Sequence, residues 1–362
     1  SAPENTLITL WLAYLDASDQ EEMLQSGLNA SADFVFPYRD ETLVMLEQLR
    51  TINDHWKLRY YTSLIYWKKG CVEKAEELFL ENGDEPDYAP YYLAKADIFK
   101  DNDELRKDAL EKARIHDSKS WRVNNAWVEE YLNDGDYVLA ADLAKKAFKE
   151  NPERSVLGLN YAIALLNLGE YKKCVLFLES FELIPFEGAT MGRNVYHEVC
   201  VRAALEEMKK KKYKTAITYA QKALLWPVNL GSGKPYNPDE RIENFILAYC
   251  SERSGRKSDA DEFYSRVIDY GPSKNSMDNP LLYLQVLALE NTGNENHAQE
   301  LLEKAKHDYP DSKYIEWITD IEQHGITEAN TGDMIELEKE ESPINNNFLL
   351  IYDLLKVINA KN

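Results

Sequence analysis

The chain has 362 residues, 44% of them apolar. That supports a large core, and length alone allows two or three domains. Its 63 acidic and 42 basic residues give a formal charge of −21. Such a chain repels phosphate backbones, which excludes nucleic acid as a partner.

The N-terminal stretch SAPENTLITLW has no basic region and no cleavage site, so no secretory signal is expected. It begins without Met and reads as a processed or excised piece. No run approaches the roughly 20 apolar residues needed to cross a bilayer. A soluble protein, cytoplasmic or periplasmic, with no membrane partner is expected. Residues 5 to 30 supply one or two helices, and Pro37 to Asp54 reads as the second helix of a helical pair.

From about residue 56 a repeat sets in. Turn markers fall at Gly70, Asp101, Gly135, Gly169, Lys211, Gly255 and Gly293. Five positions after each stand Ala75, Arg106, Ala140, Cys174, Ala216, Ala260 and Ala298. Seven positions before each stand Ser63, Ala94, Val128, Ala162, Ala204, Ala248 and Val286. Small side chains at these places let two helices approach closely. Four positions after the second small site come bulky residues, Phe79, Leu110, Leu178, Tyr264 and Leu302, on the same helical face. Pro86, Pro152, Pro185, Pro227, Pro272 and Pro310 stop the second helices. Arg106 and Phe181 depart from the pattern.

This order of small, turn, small, bulky and Pro, at spacings near 34, resembles the tetratricopeptide repeat over residues 56 to 312. The resemblance implies an all-α, right-handed α-solenoid of about eight helical hairpins. Its boundaries are 1–324 for the solenoid, 325–344 for an acidic linker and 345–362 for a C-terminal capping helix. Further stretches, FVFPYRDETL, GDEPDYAPYYLAKA, LIPFEGAT and WPVNLGSGKPYNPDER, resemble the helical region of large bacterial proteins. In those proteins a β-rich, sugar-mutarotase-like domain of unknown function precedes the array. That implies a module serving a carbohydrate-processing domain absent from this chain, as the alternative to a plain protein scaffold.

Chemical motifs are sparse. NLGSGKP, residues 229–235, suggests a phosphate loop, yet Val228 stands where the first Gly belongs. Pro235 replaces Ser or Thr, and a helix precedes the loop rather than a strand. No nucleotide is expected there. His197 and Cys200 lie three apart with no further metal ligand nearby in sequence. The cysteines Cys71, Cys174, Cys200 and Cys250 are too scattered for a disulfide framework. No catalytic signature occurs, so no enzyme, cofactor or metal is expected.

Two features point to binding instead. In the repeat register, Tyr60, Trp67, Tyr91, Lys95, Arg122, Asn125 and Glu129 project onto the concave face of the first helices. There they would suit a peptide or a glycan. Two long inter-repeat loops, 183–193 and 228–238, follow the second helices of successive units and should be neighbours on one edge. Phe186, Gly188, Gly231, Gly233, Lys234 and Tyr236 would make a docking edge there. The expected partner is another protein or a neighbouring β domain of the same parent protein.

Overall fold

The computed structural model describes residues 5–16, 18–185, 189–270, 277–327, 331, 332, 335, 338 and 344–359. Among these there are nineteen α-helices and one 3-10 turn, and no strand. The chain divides into two compact units, residues 1–134 and 135–362. The first holds α1 (Thr6–Leu15), α2 (Gln20–Asn29), α3 (Asp40–Arg50), α4 (Trp56–Lys68), α5 (Val72–Glu81), α6 (Ala89–Ile98), α7 (Asp103–His116) and α8 (Trp121–Asn133). The second begins with α9 (Tyr137–Glu150), α10 (Ser155–Asn167), α11 (Tyr171–Ser180), α12 (Met191–Lys209) and α13 (Tyr213–Ala223). After the 3-10 turn Val228–Leu230 come α14 (Arg241–Arg253), α15 (Lys257–Ile268), α16 (Leu282–Asn291), α17 (Glu295–Asp308), α18 (Lys313–His324) and α19 (Asn347–Ile358).

Packing is local: α4 with α5, α6 with α7, α12 with α13 and α14 with α15 form tight pairs, and neighbouring pairs stack through α11–α12 and α13–α14. The all-α hairpin array expected from the repeat is thus the observed architecture.

The turns inside the hairpins share one hydrogen-bond pattern. Gly70, Gly169, Gly255 and Gly293 have φ of 76°, 73°, 74° and 77°. At Gly169 the amide donates to Leu166 O at 3.1 Å and the next amide, Glu170, donates to Leu165 O at 3.0 Å. The same pair of bonds closes α4, α14 and α16. This is the Schellman arrangement, in which a left-handed residue just past the helix satisfies its last carbonyls. At Lys211 the pattern persists without glycine. Its φ is 56°, its amide donates to Met208 O at 2.8 Å, and Lys212 donates to Glu207 O at 2.9 Å. Asp101 differs: it lacks a positive φ, and Asn102 caps α7 through its side chain on Leu105 N.

The small positions lie at the helix crossings. Ala75, Ala140, Cys174, Ala216, Ala260 and Ala298 are all buried, as are Phe79, Leu110, Leu178, Tyr264 and Leu302 one turn on. Ser63, Val128, Ala162, Ala204, Ala248 and Val286 are buried opposite, and only Ala94 of that set is half-buried.

Phe181 leaves the repeat pattern for an identifiable reason. It stacks on Phe177 at 5.2 Å and meets Phe148 edge-on at 5.6 Å. Its ring lies over Gly158 of α10, where a Cβ would come within 2.4 Å of the ring.

The tail is anchored. Glu338 is buried and accepts hydrogen bonds from Tyr314 OH at 2.9 Å and Asn346 Nδ2 at 3.1 Å, while Lys313 pairs with it at 2.9 Å. α19 buries Phe348, Leu350, Ile351, Leu354 and Leu355. Its principal helical neighbour is α12 rather than the preceding α18.

Candidate functional site

The seven residues expected on a concave face of the first unit separate into two groups. Tyr60, Tyr91 and Lys95 are buried, and Trp67 is half-buried. Tyr60 and Tyr91 meet edge-on at 5.3 Å, and the Tyr91 hydroxyl donates to Phe79 O at 2.7 Å. Trp67 also packs edge-on against Phe79. These rings form core between α4, α5 and α6. Burial pushes the Lys95 ammonium below its usual range.

Arg122, Asn125 and Glu129 behave differently. They line an open groove of about 490 Å³ on α6, α7 and α8, together with Trp121, Asp97, Lys100 and Asn133. Residues 122, 125, 129 and 133 follow a helical step of three and four, which puts them on one stripe of α8. The Arg122 guanidinium sits 4.6 Å over the Trp121 ring. Asn125 Nδ2 donates to Glu129 Oε1 at 2.8 Å. The floor is part apolar, from Leu93, Ala96, Leu110 and Ala126. It is part ionic, because Arg106 reaches Glu130 there with Nε–Oε2 at 2.8 Å and Nη2–Oε1 at 3.0 Å. Asp97, Lys100, Trp121 and Asn133 escaped the sequence reading. Asp97 lies in the last turn of α6 and Lys100 in the turn that follows it.

A second candidate surface lies in the second unit. The inserted loops touch, with Asn229 as the clamp. Its side-chain amide donates to Leu178 O at 2.9 Å and Phe181 O at 2.6 Å, and its carbonyl accepts from Leu183 N at 2.8 Å. It thereby satisfies carbonyls left open at the end of α11. Ser232 Oγ donates to Ala189 O. Gly231, with φ 74°, lies against the Pro185 backbone. Gly192 leaves room for Leu183, whose Cδ1 lies 2.3 Å from where a Cβ would be. Gly233 has nothing within 4 Å. Phe186 and Gly188 lie outside the described residues. Tyr236 is fully exposed, and Ile184 and Val228 are 80% and 89% exposed.

The remaining motifs resolve structurally. Lys234 pairs with Glu240 at 2.6 Å, and Gly231 of NLGSGKP serves loop packing. His197 binds Glu243 through Nε2 at 2.9 Å and Asn345 through Nδ1, so its ring nitrogens engage those two residues and not Cys200. Among the described residues no group of three or more His, Cys, Asp or Glu could hold a metal. Among them, too, no helix is long and apolar enough to cross a membrane.

By fold the chain is an all-α array of helical hairpins among the described residues. At the sequence level no family model and no curated protein matches it. Solved structures that resemble it include that of pilF from Pseudomonas aeruginosa. That match has 18% identity and a TM-score of 0.35, and covers 61% of this chain and 91% of that one. Another is Naa15/Naa10 bound to HypK-THB, at 14% identity and a TM-score of 0.45, covering 94% of this chain but 47% of that one. Yeast Tom70 matches at 14% identity and a TM-score of 0.35, covering 93% and 68%. None of these similarities reaches the level at which a role transfers.

Proposed function

We propose that this protein is a non-catalytic repeat scaffold that binds an extended protein segment in the groove on α6, α7 and α8. The observation that carries the reading is the composition of that groove. It combines an accessible Trp121–Arg122 stack, the amide of Asn125, charges of both signs and an apolar floor. Aromatic and Arg anchors with a polar rim are what protein interfaces use. The test is selection of a displayed random-peptide library on the full chain, followed by affinity measurements on Arg122→Ala and Asn125→Ala. Enriched peptides should lose at least tenfold in affinity for Arg122→Ala. Enrichment of nothing, or wild-type binding to both variants, overturns the reading.

The paired loops support a second docking surface of the same scaffold, for a neighbouring β-rich domain. Ile184, Val228 and Tyr236 expose apolar surface on segments fixed by Asn229. Exposed apolar side chains on a well-fastened edge mark a contact. Adding such a domain in trans should slow hydrogen exchange over 183–185 and 228–236, and unchanged exchange there rejects it.

A further inference from the structure

Charge is unevenly distributed along the groove on α6, α7 and α8. One wall is the α8 stripe of Arg122, Asn125, Glu129 and Asn133, in that order along the helix. α7 pairs with α6 and also meets α8, each across a short turn, so α6 and α8 run parallel. Asp97, in the last turn of α6, therefore stands beside the later half of α8, where Glu129 lies, and not beside Arg122 at its start. The groove has a cation at one end and, about two helical turns on, two carboxylates.

These charges have no counter-charge within the fold. The ion pairs of this region run among Asp103, Arg106, Lys107, Glu130 and Asp134. Among the described residues none takes in Arg122, Asp97 or Glu129, and all three are exposed. Lys100 lines the same groove and pairs with neither carboxylate. Two of the charges are nonetheless held in place: Arg122 by its stack on Trp121, and Glu129 by the Asn125 amide, which engages Oε1. Two carboxylates in one groove without a counter-ion favour a cation supplied from outside.

We propose that the extended segment bound in this groove carries a Lys or Arg seated between Asp97 and Glu129, and an Asp or Glu three residues away that faces Arg122. This rests on the reading of the groove as a peptide site and adds the partner's charge pattern to it. Arg122 and Glu129 are seven residues apart on α8, an axial distance of about 10 Å. A segment in the polyproline II conformation rises about 3.1 Å per residue with three residues per turn, so its residues i and i+3 lie on one edge about 9 Å apart. The two intervals match. The formal charge of −21 also draws a basic side chain in and repels a segment that is acidic throughout.

The test runs the displayed random-peptide selection in parallel on the full wild-type chain and on the full Asp97→Asn/Glu129→Gln chain. The wild-type pool should be enriched about threefold or more in a basic residue three positions from an acidic one, the size of preference an exposed charge pair supports. The variant pool should keep the acidic residue and lose the basic one. Enrichment without that pairing, or the same pairing in both pools, overturns this proposal and leaves the groove reading standing. Enrichment of nothing on either chain overturns both. Should the variant lose helicity by circular dichroism, the peptides decide. Replacing the basic residue of a wild-type-selected peptide by Gln should then weaken its binding to the wild-type chain about threefold at low salt and less at high salt. An unchanged affinity rejects the proposal.

Discussion

Arg106 and Glu130 occupy, on facing helices, two positions that are small in most other hairpins of the array. Arg106 stands where Ala75, Ala140 and Ala216 stand, and Glu130 where Ala164 and Ala288 stand. The two departures answer each other through a bidentate ion pair at 2.8 and 3.0 Å. Hydrogen bonding to Glu130 outweighs burial and raises the guanidinium pKa. Glu130 is 3% exposed, so removing Arg106 leaves a buried carboxylate with only Lys107 nearby at 3.4 Å. Arg106→Ala should cost about 2 kcal/mol, and Arg106→Ala with Glu130→Ala distinctly less, because the double change restores the common small pair. Urea melts of the cycle check this; additive losses would mean the pair is not coupled.

Ala216, Ala260 and Ala298 are buried where two helices meet. A leucine there must push the helices apart, at about 1–3 kcal/mol each. Ala140 belongs to the same set and should behave alike. If all four Leu variants melt at the wild-type temperature, these are not the close crossings of the array.

The repeat was legible because stacking helices demands small residues at fixed intervals, and that demand leaves a periodic trace. Gly70, Ala75 and Phe79 could be placed from spacing alone. The groove was only partly legible. Arg122, Asn125 and Glu129 open onto it, whereas Tyr60 and Tyr91, two hairpins and one hairpin earlier in the same register, turn into an aromatic core. Periodicity tells which face a residue takes, but how deep that face lies depends on the neighbouring hairpin. The stretch NLGSGKP stands out in sequence for Gly231 and Gly233, but the role of the Asn229 amide does not, because its partners, the carbonyls of Leu178 and Phe181, lie about 50 residues away. Gly158 escaped for the same reason: only the distant Phe181 ring explains it.

Of the four cysteines only Cys71 is exposed. Burial pushes the Cys174, Cys200 and Cys250 thiols up to about 12, and the thiolate is the reactive form. Alkylation of the native protein at pH 8 should therefore label one thiol per chain, rising to four in denaturant. Modification of two or more under native conditions would show that the hairpins holding these residues open readily.

Glu338 ties the tail down under acid control. Burial raises its pKa, but hydrogen bonds from Lys313, Asn346 and Tyr314 outweigh that and hold it below the usual value. Its stabilising contribution is present above the unfolded value, near 4.5, and is lost as pH falls through the lower folded value. Glu338→Gln should lower the melting temperature at pH 7, and the gap to wild type should narrow below pH 4. A gap independent of pH would place the effect in shape rather than charge.

Lys211 holds a left-handed backbone, φ 56°, at the turn where four other hairpins use glycine for the same pair of hydrogen bonds. An L side chain in this region costs roughly 1–2 kcal/mol, while glycine gives back part of that by loosening the unfolded chain. The helix-ending bonds from Lys211 N to Met208 O and Lys212 N to Glu207 O need only the backbone, so a glycine retains them. Lys211→Gly should therefore stabilise the protein by about 0.5–1 kcal/mol, against the general trend that glycine destabilises. The reverse change, Gly169→Lys, should cost about 1–2 kcal/mol, since Gly169 has the same geometry at φ 73° with nothing near its missing Cβ. Thermal melts of the two single variants decide the matter. A Lys211→Gly protein less stable than wild type would mean that the lysine side chain contributes contacts that outweigh its strained backbone.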